Sequence, residues 1–265
     1  MKLKITHTTT YEYDAPVSYA LQQVRLTPIS NSQQEVLNWQ LEIEGGHSEL
    51  YFLDHHKNHT TLIQATPGAD QIKITASGEV ETSDSTGVLG KVYGKAPLWH
   101  FTQQTDRTMP GKNIRSLAKV LSNGDDLLAN LHTLSAEILK AVPYGEAATY
   151  AGTTAEEALV AGGGVCQDHT QIFISAARHA GISARYVSGY LMMNDRVDQD
   201  ASHAWAEAHV DGLGWVGFDV SNGYSPDERY VRIATGLDSR ESAPISGMRL
   251  GAASESMIVS LQVQQ

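Results

Sequence analysis

From Leu37 to Glu44 the chain runs Leu-Asn-Trp-Gln-Leu-Glu-Ile-Glu, apolar at every odd position and polar at every even one. That period of two belongs to a strand with one face buried, and Gly45-Gly46 ends it. Leu50-Tyr51-Phe52-Leu53 and Gln71-Ile72-Lys73-Ile74-Thr75 read as further strands. Nothing in residues 1 to about 85 repeats at helical spacing, so this part predicts a β-sandwich or a curled sheet. Over 86–112 the alternation gives way to Gly87, Gly90, Gly94, Pro97, Pro110 and Gly111, the punctuation of a connection with some local structure.

The period then changes. Leu127, Leu131, Leu134 and Ile138 recur at three and four residues, with Leu128 and Leu139 widening the stripe. Asp125 or Asp126 is placed to cap this helix and Pro143 to end it. Thr154 with Glu157 three residues on forms a capping-box pattern for a short helix reaching about Val160. Another helix is predicted from Cys166 to about Ala180, with Gly181 suited to the left-handed position beyond its end. Strands return at 184–192, 203–210 and 215–220, the last two joined by a hairpin turn over Asp211-Gly212-Leu213-Gly214. Residues 256–263 close the chain with a short alternating segment.

Composition narrows the chemistry. Hydrophobic residues make up 41% of the 265 and charged ones 18%, which suits a folded chain of one large or two modest domains. A net charge of −11 disfavours nucleic acid and anionic membrane as partners. The single cysteine, Cys166, excludes an intramolecular disulfide and a four-thiolate metal site. A lone thiol suits a reducing cytosol. No apolar run reaches the length of a membrane span or opens the chain as a signal peptide, so a cytoplasmic location is expected.

Cys166 has an informative context. Gly162-Gly163-Gly164 leads directly into its helix and allows a tight backbone path. A sulfur in the first turn sits among unpaired amides whose partial positive charge favours a thiolate and can receive an oxyanion. A thiolate nucleophile needs a base, and imidazole serves near neutral pH. Of eleven histidines, His203 is singled out because its strand leads through the hairpin to Asp219. If Val210 pairs with Gly214, Trp205 lies opposite Asp219 and His203 is its diagonal neighbour, all on one face. A register slipped by one residue would move Asp219 to the other face. Asp219 would fix the tautomer of the ring and stabilise the imidazolium.

Four separated blocks resemble the transglutaminase-like superfamily: Gly164-Val165-Cys166-Gln167-Asp168-His169, Tyr186-Val187-Ser188-Gly189-Tyr190, Ser202-His203-Ala204-Trp205-Ala206-Glu207 and Gly214-Trp215-Val216-Gly217-Phe218-Asp219. Residues 1 to about 85 are similar to the β-rich N-terminal domain of its bacterial members, and 229–247 to their C-terminal portion. The resemblance implies an α+β fold: a papain-like, transglutaminase-like core, with the Cys helix packed on an antiparallel sheet, beside an N-terminal β-sandwich-like domain. The expected organisation is a β-rich domain over 1–85, a connection over 86–112 and a catalytic domain over 113–265 that includes the C-terminal strand. Family members often carry Pro and Thr soon after the Asp, where this chain has Val220 and Ser221.

The resemblance and the residues together point to a thiol-dependent acyl-transfer enzyme acting on peptide or isopeptide amides through Cys166, His203 and Asp219. A cysteine peptidase or amide hydrolase is preferred over glutamine transamidation, and retention of all three positions argues against an inactive scaffold. Neighbouring positions admit other roles. Asp168 divides between a helix-dipole complement and a cleft residue. Tyr150 reads as a packed side chain before a hydroxyl donor to an oxyanion. Trp205 walls or underlies the cleft, and His169 lacks an Asp at the right spacing. Asp54-His55-His56 with His59 lacks further ligands in sequence and reads as a polar loop, so no metal and no cofactor are expected. The expected partner is a peptide or protein substrate, with the N-terminal β domain available to a protein partner.

Overall fold

The computed structural model describes residues 1–91, 96–122, 126–145, 149–250 and 254–265; Gly94 and Asp125, named above, lie outside them. Six strands open the chain: β1 (Lys2–Tyr13), β2 (Tyr19–Thr27), β3 (Gln34–Glu44), β4 (Gly46–Leu53), β5 (His59–Ala65) and β6 (Gln71–Thr82). A short β7 (Val88–Gly90) and a 3-10 turn (Leu98–Thr102) precede helices α1 (Lys112–Leu117), α2 (Leu127–Ala141), α3 (Ala155–Ala161) and α4 (Cys166–His179). The remainder is β8 (Ala184–Leu191), β9 (Asp198–Gln199), β10 (His203–Val210), β11 (Gly214–Phe218), β12 (Tyr230–Gly236), β13 (Ile245–Leu250) and β14 (Glu255–Gln264). Among the described residues no helix is long and apolar enough to cross a membrane.

The strands form three sheets, ordered β3-β6-β1-β14-β9, β13-β2-β5-β4 and β12-β8-β10-β11-β7. The first two enclose a common core. β1 buries Leu3, Ile5, Tyr11 and Tyr13 at alternate positions against Val24 and Leu26 of β2 and Ile72, Ile74 and Val80 of β6. Leu261 and Val263 of β14 join the same core. The C-terminal strands β13 and β14 therefore pair with β2 and β1 rather than entering the sheet that carries His203. Ile245 of β13 packs against the same core, while Met248, Leu250, Met257 and Ile258 are exposed.

β3 departs from strict alternation at one point. Its pairing with β6 shifts between Val36 and Asn38, so Leu37 is the extra residue of a bulge and is 43% exposed. A bulge resets which residues face inward, and Trp39, Leu41 and Ile43 pack against the core as the alternation requires.

The third sheet backs the helices. Ile172, Phe173, Ala176 and Ala177 of α4 pack with Leu131, Leu134 and Ile138 of α2 against Tyr186, Ala206, Ala208 and Phe218 of the sheet. Local signals account for the helix ends. Asp126 Oδ1 accepts from the Ala129 amide at 3.0 Å. Thr154 and Glu157 exchange the two bonds of a capping box. Gly181 follows α4 with φ +81°. The connection contributes more than a link, because β7 pairs with β11 and forms an edge of this sheet.

Candidate active site

Cys166 is the first residue of α4 and is partly buried. Gly164 permits a close approach just before it: a Cβ there would lie 2.9 Å from both Cβ and Oδ2 of Asp168. Asp168 is 1% exposed. Its Oδ2 accepts from the Val165 amide at 2.9 Å and from Thr149 Oγ1 at 2.7 Å. The carboxylate thus reaches back to the residue that caps α4, as in the reciprocal half of a capping box, and ties the helix start to the loop before α3. The next amides of this first turn have no acceptor within the helix.

His203 begins β10, with its side chain 10% exposed. Nε2 lies 2.6 Å from Asp219 Oδ2. Nδ1 is the nitrogen that Asp219 leaves open, and Cys166 acts electrostatically on this ring. Burial alone would favour the neutral imidazole. The hydrogen bond and charge of Asp219, and then those of Cys166, outweigh it and push the His203 pKa from 6.5 up to about 10. Asp219 is fully buried. Burial pushes its carboxyl up, but the hydrogen bond and charge of His203, with bonds from Tyr230 and Asn222, hold it below the ordinary value.

The hairpin geometry explains the pairing. Val210 lies opposite Gly214 and Ala206 opposite Phe218. One step further puts Trp205 across from Asp219, which leaves His203 diagonal to it on the same face. Past Phe218 the chain reverses around Asp219. Its amide donates to Tyr224 O at 3.0 Å, and its carbonyl accepts from the Gly223 amide at 2.9 Å. Asn222 donates from its amide to Oδ1 at 3.2 Å and from Nδ2 to Oδ2 at 2.7 Å. Val220 and Ser221 therefore sit in a turn organised by the Asp219 side chain itself.

Neighbouring residues hold this arrangement in place. Tyr230 on β12 donates its hydroxyl to Asp219 Oδ2 at 2.7 Å. Trp205 is 3% exposed. It stacks on His203 with ring centroids 6.4 Å apart and meets Tyr230 edge-on at 5.4 Å. Gly189 leaves room for it: a Cβ there would lie 2.5 Å from the Trp205 ring and 2.3 Å from Val231 O. His169 is wholly buried, donating from Nε2 to Val142 O at 2.7 Å and accepting at Nδ1 from Ser221 Oγ at 2.8 Å. Burial depresses its pKa, so it is a neutral ring joining α4, the end of α2 and the turn after Asp219.

Two differences from the sequence reading stand out. Tyr150 is 73% exposed rather than packed. It lies in a surface loop with no core to fill, and its ring covers Gly152, where a Cβ would be 2.3 Å away. Just before Tyr150 in the chain, residues 146–148 lie outside the described residues. Tyr230 and Asn222 are partners of Asp219 that the sequence reading lacks. Asn222 had a local signal, an Asn three residues after an Asp. Tyr230 had none, because only the pairing of β12 with β8 brings it to the site.

With this geometry in view, the comparisons with known proteins are specific. Residues 3–81 match the bacterial transglutaminase-like N-terminal region, and residues 115–220 match the transglutaminase-like superfamily. Residues 115–220 thus form a transglutaminase-like region. The superfamily match spans Cys166, His203 and Asp219. A solved structure from Cytophaga hutchinsonii, named "Putative Cysteine Protease", shares this transglutaminase-like fold. Its TM-score is 0.79 and its identity 23%, over 100% of this chain and 91% of that one. Uncharacterized protein ML0607 of Mycobacterium leprae is 23% identical over 99% of this chain and 98% of its own length. Uncharacterized protein Rv2569c of Mycobacterium tuberculosis is 25% identical, over 99% and 91% respectively.

Proposed function

We propose that this transglutaminase-like chain is a cysteine peptidase or amide hydrolase in which Cys166, His203 and Asp219 form the catalytic triad. The observation that carries the reading is the His203 ring, bound through Nε2 to buried Asp219 at 2.6 Å, with its pKa raised by Asp219 and then by Cys166. A ring whose pKa is raised by both neighbours carries a proton at neutral pH, and that proton is what a departing amine requires.

The chemistry follows from the groups present. Cys166 Sγ, as thiolate, attacks the carbonyl carbon of an amide, and the carbonyl oxygen takes up the negative charge. The first-turn amides of α4 are the nearest fixed donors for that oxyanion. The tetrahedral intermediate collapses as the C–N bond breaks and Nδ1–H of His203 protonates the leaving nitrogen, leaving a thioester on Cys166. Water then attacks the thioester, giving its proton to His203, and collapse releases a carboxylic acid and the thiolate. Asp219 keeps the ring oriented throughout and remains a carboxylate. An amine replacing water would give transamidation by the same steps. Water is favoured because nothing in the chain marks a second-substrate site.

Trapping with a peptide library, followed by intact-mass analysis, tests the proposal. An acyl adduct on Cys166 is expected, absent in Cys166→Ala and reduced at least ~100-fold in rate in His203→Ala. Added primary amine should leave the acid as the main product. Alkylation of Cys166 by iodoacetamide at the rate of a free thiol, unchanged by His203→Ala, would remove the basis for catalysis.

A further inference from the structure

The histidine pair that reads as a polar loop acquires two companions on folding. Asp54, the first residue of that sequence cluster, is occupied with shaping its own loop. It accepts from the amides of His56 and Asn58 at 2.9 Å each, from Asn58 Nδ2 at 2.9 Å and from Arg25 Nε at 3.3 Å. His59 on β5 turns to the Tyr51 hydroxyl. His55 and His56 instead face His100, from the 3-10 turn before α1, and Glu241, from the segment after β12.

Ring nitrogens of His55, His56 and His100 all lie within 4.8 Å of one another. Glu241 Oε1 is 3.0 Å from His55 Nε2, and its Oε2 is 3.1 Å from His56 Nε2. Oε2 is also anchored by the chain, accepting from the Leu237 amide at 2.6 Å. The His56 side chain is 1% exposed, yet neither of its ring nitrogens is in hydrogen-bond geometry with any described residue. His100 Nε2 is buried and equally without a hydrogen bond among the described residues. Buried polar atoms are rarely left so. Three imidazoles whose nitrogens gather together, those of His56 and His100 unpartnered, and a carboxylate touching two of the rings supply the donors of a tetrahedral zinc-like centre once a Glu241 oxygen turns inward. Metal–nitrogen bonds of about 2.0–2.1 Å would set the nitrogens roughly 3.4 Å apart, against the 4.8 Å within which they now lie.

We propose that His55, His56, His100 and Glu241 bind one divalent transition-metal ion of the zinc class. The four ligands come from three separate stretches of chain: the β4–β5 loop of the sandwich, the connection, and the segment leaving the sheet that carries His203. His55 and Glu241 alone are 186 residues apart. With all four positions filled by protein the site is closed, as structural zinc sites are, and the ion clamps the β-sandwich to the catalytic layer. It takes no part in the thiol chemistry, so the assignment stands apart from the proposed activity.

The test uses the full chain carrying Cys166→Ser, so that no thiolate competes for metal, stripped with chelator and titrated with zinc chloride by calorimetry. One ion per chain is expected, with a raised Tm, and cobalt(II) in its place should show the visible absorption of a tetrahedral site. His100→Ala and Glu241→Gln should each weaken binding at least ~10-fold, the minimum seen when even outer-shell partners are removed. His59→Ala should leave it unchanged. His55→Ala, at a side chain that is 59% exposed, keeps the test decisive if the His100 variant does not fold. Absence of stoichiometric binding, or binding that survives His55→Ala and Glu241→Gln alike, would overturn the assignment.

Discussion

At the scale of single residues, the arrangement is governed by how Asp219 is satisfied. A fully buried carboxylate is costly unless its oxygens are bonded, and here His203, Tyr230 and Asn222 all donate to it. Because the folded His203 pKa lies above its ordinary value, folding binds a proton more tightly. The stability gained is fully present below pH 6.5, declines as pH rises and is lost above about 10. The difference in denaturant midpoint between the parent chain and His203→Gln is therefore expected to shrink steadily across that window. Tyr230→Phe removes one hydrogen bond to a charged group, about 1.5–3 kcal/mol. Urea unfolding should register that loss, and Cys166 alkylation should slow as Asp219 loses its hold on the ring.

At the scale of elements, the start of α4 matters most. Its position depends on Asp168 reaching back to Val165 across Gly164, where no Cβ fits. Gly164→Ala is expected to displace the Asp168 side chain and with it the first turn, cutting the rate of iodoacetamide alkylation more than it lowers Tm. Thr154→Ala makes the useful contrast. It removes the capping box of α3, should cost about 1 kcal/mol of stability, and should leave the alkylation rate unchanged.

At the scale of the whole molecule, the sheet carrying His203 also holds a buried charge network. Glu207 accepts from Arg185 Nε at 2.7 Å and pairs with Arg232, its own side chain being 3% exposed. Arg185 in turn lies over the Trp215 ring, 4.0 Å from its centroid. Glu207→Ala would leave two guanidinium groups facing each other without a counter-charge. Breaking a buried pair in this way costs about 3–5 kcal/mol, so chemical denaturation should show a much lower midpoint. The same network joins β8, β10 and β12, and the loss should loosen the β12 contact that carries Tyr230 to Asp219.

What the sequence determined by itself was whatever depends on neighbours along the chain. The helices over 127–141, 155–161 and 166–179 follow from apolar period and capping residues. The β10–β11 register follows from a short glycine-containing turn and the parity of two strands, which is why His203 and Asp219 were recognisable as neighbours. Only the tertiary structure decided which distant segments meet. β13 and β14 return to the first two sheets, β7 edges the third, Tyr230 arrives beside Asp219 through β12, and His100 and Glu241 reach the His55–His56 loop. Pairings of that kind depend on the burial of whole faces and on long loop closures. A residue's own neighbours in sequence carry no trace of them.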